Sequence, residues 1–252
     1  HKKINLFILK LVLAFILFYN LYSKFSEEGF YDTYLLFKEE FSPDKLYFLG
    51  FAIILTFFNW GFETLKYYLC VQRVEKISYW KAYRGILYGN ALNLILPASI
   101  GELTGRPLVL KEENRVNGSG VAYYVSIVQK VASPLVGLLF LLYAHYHGFL
   151  STEKLSFMHL GLSIAGIITL ISVIDVIFWL FMYLKPEVMI LWLAKVKSLR
   201  KIFESIGEFL HYNIPTKLSL LAIGSFRFLI FVTQYWLLMF IFFSEFPYFE
   251  FW

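Results

Sequence analysis

Two stretches of this chain, Leu46 to Phe58 and Leu160 to Leu184, are apolar on all sides. A surface helix of a soluble domain keeps a polar face and a half-buried strand alternates, so neither pattern accommodates such runs. They need lipid or other helices around them. Similar stretches recur at lengths near the roughly 20 residues that cross about 30 Å of hydrocarbon, and the alternation of a membrane barrel is absent. The expected fold is an all-α integral membrane protein, a polytopic helical bundle. The composition agrees, with 59% hydrophobic and 16% charged residues, against about 25% charged in ordinary globular chains.

Full spans are expected near residues 4–22, 46–68, 119–145, 158–184 and 217–243, within a single domain covering 1–252. The stretch 83–110 differs. It holds a moderately apolar helix (Tyr83 to Leu96), a break at Pro97-Ala98-Ser99-Ile100-Gly101, and a second short helix (Glu102 to Leu110). Charge placement decides whether it crosses or returns, because Lys and Arg concentrate on the cytoplasmic side. Residues 23–45 carry Lys24, Lys38 and Lys45 against Glu27, Glu28, Asp32, Glu39, Glu40 and Asp44, whereas 71–84 carry Arg73, Lys76, Lys81 and Arg84. Residues 146–157 carry only Lys154, and 185–217 carry Lys185, Lys195, Lys197, Arg200, Lys201 and Lys217. These biases agree only if 83–110 enters and leaves on one side. A re-entrant hairpin follows, with the amino terminus inside and the protein in the cell (cytoplasmic) membrane.

The stretch from Ile4 to about Tyr22 starts like a signal peptide but lacks a small-residue cleavage pattern, which makes it a retained anchor. The chain starts at His1 and stops within Phe249-Glu250-Phe251-Trp252, so both ends read as trimmed and the bundle as truncated at its carboxyl end. Between 185 and 215, Leu193, Val196, Leu199, Ile202, Phe203, Ile206 and Phe209 recur at helical spacing among basic residues. That segment either lies on the inner leaflet or packs on the bundle as a connecting helix.

Polar groups are dense where the surroundings are apolar: Asn90, Asn93, Pro97, Ser99, Gly101, Glu102, Thr104, Gly105 and Arg106. A helix broken inside the membrane leaves unpaired N–H groups and a positive dipole end, which suit a phosphate or carboxylate. Irregular backbone at that depth is tolerated only in protein or beside a wet cavity. Arg106, Glu102, Ser99, Gly101, Asn90 and Asn93 are therefore the candidate headgroup ligands, with Pro97, Gly101 and Gly105 as hinges. Glu102 and Arg106, four apart, share a helical face and can pair.

Further polar residues lie inside the spans. Counting about 1.5 Å per residue puts Lys130, Asp175 and Arg227 each roughly 15 Å deep. They are expected to meet near the midplane as a compensated network, either structural or functional, with Gln129 beside Lys130 and Gln234 two turns beyond Arg227. Glu63 and Asn59 share a face turned to the hairpin, while Lys66 is expected to snorkel to the interface. His145, His147, His159 and His211 fall mostly at span ends without metal-ligand partners, and Cys70 is the only cysteine, so no metal, cofactor or disulfide is expected.

The string Asn90…Leu96-Pro97…Gly101-Glu102…Gly105-Arg106, preceded by Asn59-Trp60-Gly61-Phe62-Glu63-Thr64-Leu65-Lys66, resembles the transmembrane region of lysylphosphatidylglycerol synthases. The Pro-x-x-x-Gly-Glu-x-x-x-Arg spacing carries the resemblance, from about residue 46 to the end. It implies a flippase-like lipid module, here standing alone without the aminoacyl-transfer domain. Members of that family continue into further helices with a second glycine-rich re-entrant motif, and many carry a Glu-Arg pair where this chain has Gln129-Lys130.

The expected function is thus movement of an anionic or aminoacylated phospholipid, or a lipid-linked headgroup, between leaflets. Two alternatives stay open: a membrane-embedded headgroup transferase with Glu102 or Asp175 as base, and a non-transporting membrane partner of a lipid-modifying enzyme. No nucleophile beside a base favours the transferase, and no G-x-x-x-x-G-K-[ST] string supplies a nucleotide site. Membrane phospholipids are the expected partners, with a second copy or a lipid-modifying enzyme beside them, and nucleic acid is not.

Overall fold

A computed structural model describes residues 45–94, 96, 100–147, 164–188 and 212–242, with five isolated positions (15, 19, 22, 23 and 35) before them. Most of the expected first span, Pro97, Ser99, His159, His211 and most of the amphipathic segment lie outside the described residues. Six α-helices are described: α1 (Leu46–Val71), α2 (Tyr79–Asn93), α3 (Ile100–Gly105), α4 (Arg115–Tyr146), α5 (Ile164–Leu184) and α6 (Ile214–Phe242). Two 3-10 turns, Arg106–Val109 and Glu112–Asn114, join α3 to α4. Among the described residues there is no strand, and four helices are long and apolar enough to cross a membrane. The protein is an all-α membrane bundle.

Length separates the spans from the hairpin. At about 1.5 Å per residue, α1 reaches roughly 39 Å and α4 roughly 48 Å, whereas the 15 residues of α2 reach only about 22 Å. Ser78 starts α2 by accepting the Lys81 N–H. The short return helix ends earlier than its sequence pattern suggests because Pro107 has no N–H to give, and the chain tightens into a 3-10 turn from Arg106.

α1 packs most extensively on α6, α4 bridges α5 and α6, and α2 packs closely on α3. The outward faces are what hydrocarbon requires: Phe51, Ile53, Ile54, Phe57 and Phe58 on α1, and Leu170, Ile171, Ile174 and Ile177 on α5, are exposed. At one end of the bundle Tyr124 stacks between Tyr183 and Tyr212, with ring centroids 5.5 and 5.0 Å away. Tyr183 donates to the Lys217 carbonyl and Tyr212 to the Cys70 carbonyl, so α1, α4, α5 and α6 are tied together there.

The two ends of the broken segment meet at that same end. Glu75, in the loop before α2, binds Lys81 Nζ, the Lys111 N–H and Asn114 Nδ2, each at 3.0 Å. The Asn114 amide, the Lys111 N–H and Lys81 hold its carboxyl below the usual range, from 4.5 to about 2. A depressed carboxyl stabilises the fold fully above its unfolded value and loses that contribution as pH falls through the folded value. Glu75→Gln is therefore expected to melt lower in detergent by about 1.5 kcal/mol near neutral pH. The gap to wild type should be constant above pH 4.5 and close progressively as pH is lowered toward 2. Equal melting at neutral pH would remove the anchor.

Candidate functional site

Asn59, Glu63 and Lys66 fall at i, i+4 and i+7, one face of α1, and this face turns into the bundle. Glu63 is the hub. Its Oε1 lies 2.8 Å from Arg106 Nη2, and its Oε2 lies 2.8 Å from Lys66 Nζ and 3.1 Å from Arg227 Nη1. Burying a carboxylate is tolerated only with such pairing.

The hairpin delivers the second carboxylate. Glu102 pairs with Arg106 Nη2 and accepts from Asn93 Nδ2 at 3.1 Å and Ser126 Oγ at 3.2 Å. Its own N–H donates to Asn93 Oδ1 at 3.1 Å, so one asparagine both ends α2 and starts α3. Close backbone approach makes this fit. A Cβ on Gly105 would come within 2.7 Å of the Gly89 backbone, one on Gly85 within 2.8 Å of the Arg106 carbonyl, and one on Gly101 would overlap the Asn93 nitrogen. The expected hinge positions Gly101 and Gly105 are thus contact points between α2 and α3.

α4 and α6 close the cluster. Gln129 Oε1 accepts from Lys66 Nζ at 2.8 Å and from Arg227 Nη1 at 3.1 Å, and Gln129 Nε2 donates to Ser133 at 2.9 Å. Arg227 Nε donates to Asn59 Oδ1 at 2.9 Å. Asn59 in turn donates to Gln234, which reaches Thr56 and the Ala52 carbonyl. Hydrogen bonds and ion pairs therefore run unbroken from Asn93 on the hairpin to Gln234 on α6. Lys66, Arg106 and Arg227 face Glu63 and Glu102, so the described cluster carries one net positive charge. Its interior is closed off from the surface, with side-chain exposure of 0% at Lys66, 5% at Glu63 and 2% at Arg106. Its edges are open, at 22% for Glu102 and 26% for Arg227. Among the described residues, Arg106 Nε and Nη1 have no hydrogen-bond partner, and the buried Tyr67 hydroxyl, within electrostatic reach of Arg106, has none either.

Two expected members of the network are elsewhere. Lys130 is exposed with its ammonium 4.6 Å over the Trp179 ring, and Asp175 is exposed on α5. Both residues lie within long apolar helices, but each residue along a helix also turns about 100°, and on α4 it is Gln129 that faces inward. Asn90 is half-buried on α2 and joins none of the described hydrogen bonds. Lys66, expected at the interface, is instead fully buried on Glu63 and Gln129. Ser126, Ser133 and Thr56 were not singled out by sequence. Their signal is positional, since Ser126, Gln129 and Ser133 share the inward face of α4.

Residues 7–247 match the family described as the lysylphosphatidylglycerol synthase TM region. The chain belongs to that family. No curated protein and no solved structure matches it. The match extends further toward the amino terminus than the motif-based resemblance, which started near residue 46. As a lysylphosphatidylglycerol synthase TM region, the chain is a multi-pass membrane protein tied to lipid modification or flipping. Its Glu102 and Arg106, the acidic and basic ends of the motif, are the two hairpin residues that enter the charged cluster.

Proposed function

We propose that this protein moves a phospholipid or lipid-linked headgroup between leaflets of the cell membrane, with α2 and α3 as a re-entrant hairpin and the amino terminus inside. The observation that carries the reading is a net-positive cluster of five charges among membrane spans, with Glu63, Lys66 and Arg106 buried and the cluster completed by a broken helix. Charges inside a membrane are costly and serve substrate or ion pathways by default. Glu75 holding both ends of the hairpin together supports the re-entrant path. The headgroup travels along the cluster while the acyl chains stay in lipid, and the open edges at Glu102 and Arg227 are where it exchanges with the membrane. The test is leaflet exchange of fluorescent phosphatidylglycerol in vesicles containing the purified protein. Exchange faster than in empty vesicles is expected. Equal rates, with and without an imposed ion gradient, would leave the scaffold for a lipid-modifying enzyme as the better reading.

A further inference from the structure

Glu102 occupies a set of donors that a carboxylate on the protein does not exhaust. Asn93 Nδ2, Ser126 Oγ and Arg106 Nη2 converge on it. Beside them, Arg106 Nε and Nη1 and the Tyr67 hydroxyl are buried with no hydrogen-bond partner among the described residues. A guanidinium carries five N–H donors, and Nε and Nη1 account for three of them, so more than half of the donor capacity of Arg106 is unused at a position 2% exposed. Leaving buried donors unpaired is costly. The two acidic partners of Arg106 also differ. Glu63 is sealed inside the bundle and shared among three cations, whereas Glu102 sits at the rim with its side chain 22% exposed.

We propose that the Glu102 carboxylate holds the place of the cargo's oxyanion, and that the cargo is a lipid whose headgroup carries a single net negative charge, such as a phosphodiester. This narrows the transport reading and rests on it for the cargo being a lipid. The headgroup oxyanion displaces Glu102, takes over the Asn93, Ser126 and Arg106 donors, and engages the further N–H groups of the same guanidinium. Charge decides the class. With Glu102 turned out, three cations (Lys66, Arg106, Arg227) face one anion (Glu63), and a monoanion restores the balance of the resting cluster. A headgroup bearing two ammonium groups beside its phosphate is net positive and would add to an excess already present, in a low-dielectric site where like charges repel strongly. The site therefore selects an unmodified anionic lipid over its lysylated derivative.

The test is binding to the full chain in detergent, with short-chain phosphatidylglycerol, its lysyl derivative and inorganic phosphate as probes, on wild type, Glu102→Gln and Glu102→Ala. Removing the internal competitor should tighten phosphatidylglycerol at least about tenfold, since it deletes a negative charge within contact of the ligand. The lysyl derivative should bind more weakly than phosphatidylglycerol in every form. Thermal melting confirms that each variant is folded, and either one suffices if the other is not. Unchanged or weaker phosphatidylglycerol binding in a folded variant overturns the proposal, as does a lysyl derivative that binds as well. Inorganic phosphate binding as tightly as the lipid overturns the lipid as source of the oxyanion. If the binding pattern holds while vesicles show no leaflet exchange, transport fails and the binding site stands.

Discussion

Replacing Glu63 with glutamine is expected to destabilise the protein more than any other single change in the cluster, by about 3–5 kcal/mol, the range for removing one partner of a buried ion pair. The carboxylate touches Arg106, Lys66 and Arg227 at 2.8 to 3.1 Å. Without it, three cations remain with only Glu102 as an anionic partner among the described residues, and Lys66 keeps only the neutral Gln129. Glutamine matches the shape and still accepts hydrogen bonds, so the loss reports charge rather than packing. Thermal melting in detergent measures it. Because the cost comes from uncompensated charge, the double variant Glu63→Gln/Lys66→Met should recover part of the loss. A single variant that melts within a degree of wild type would mean the cluster is far wetter than its geometry indicates.

The second large effect is steric. Gly101→Ala should destabilise the hairpin by about 1–3 kcal/mol, the cost of overpacking, and at the upper end of that range. Its Cβ would overlap the Asn93 nitrogen and lie 2.5 Å from Asn93 Oδ1 and the Leu92 carbonyl carbon. These are mostly backbone atoms, which cannot rotate away. Moving them separates Asn93 from Glu102, so the hydrogen bonds that place Glu102 are lost together. The contrast is Gly50→Ala in α1, where nothing lies within 4 Å. There alanine should be neutral or stabilise by up to about 1 kcal/mol through helix propensity. Comparing the two melts separates contact between α2 and α3 from any general effect of losing a glycine, and similar melting of both would show that the hairpin is not packed as described.

Much of this fold is legible from polarity and length. The runs around Leu46, Val121, Ile164 and Leu218 had to be helices in lipid, and the described spans agree within a few residues. An interruption between α2 and α3 is legible because Pro97 and the flanking small and polar residues break an apolar pattern, but α2 ends at Asn93, earlier than the expected Leu96. The site was legible in part for a definite reason. Asn59 and Glu63, four apart, announced a polar face on α1, and Glu102 and Arg106 announced one on the hairpin. Lys66 belongs to the same α1 face by its spacing, but its closeness to the expected span end invited snorkelling. α1 continues to Val71, which places Lys66 well inside. Lys130 and Asp175 show the complementary failure: position along a helix follows from counting, whereas the direction a side chain faces depends on how the helices are rotated against one another. The close approach of Gly101 to Asn93 is a tertiary fact with no local signal beyond the glycine.

The charged cluster as a headgroup path, rather than a brace between helices, is the central claim. It is tested most directly by leaflet exchange of fluorescent phosphatidylglycerol in vesicles carrying wild type or Arg106→Gln, with melting recorded on the same preparations. The cluster as a path predicts that folded Arg106→Gln exchanges lipid no faster than empty vesicles, because the donors that receive the headgroup are gone. Folded Arg106→Gln that exchanges lipid at the wild-type rate would contradict it and leave the cluster as a structural ion network.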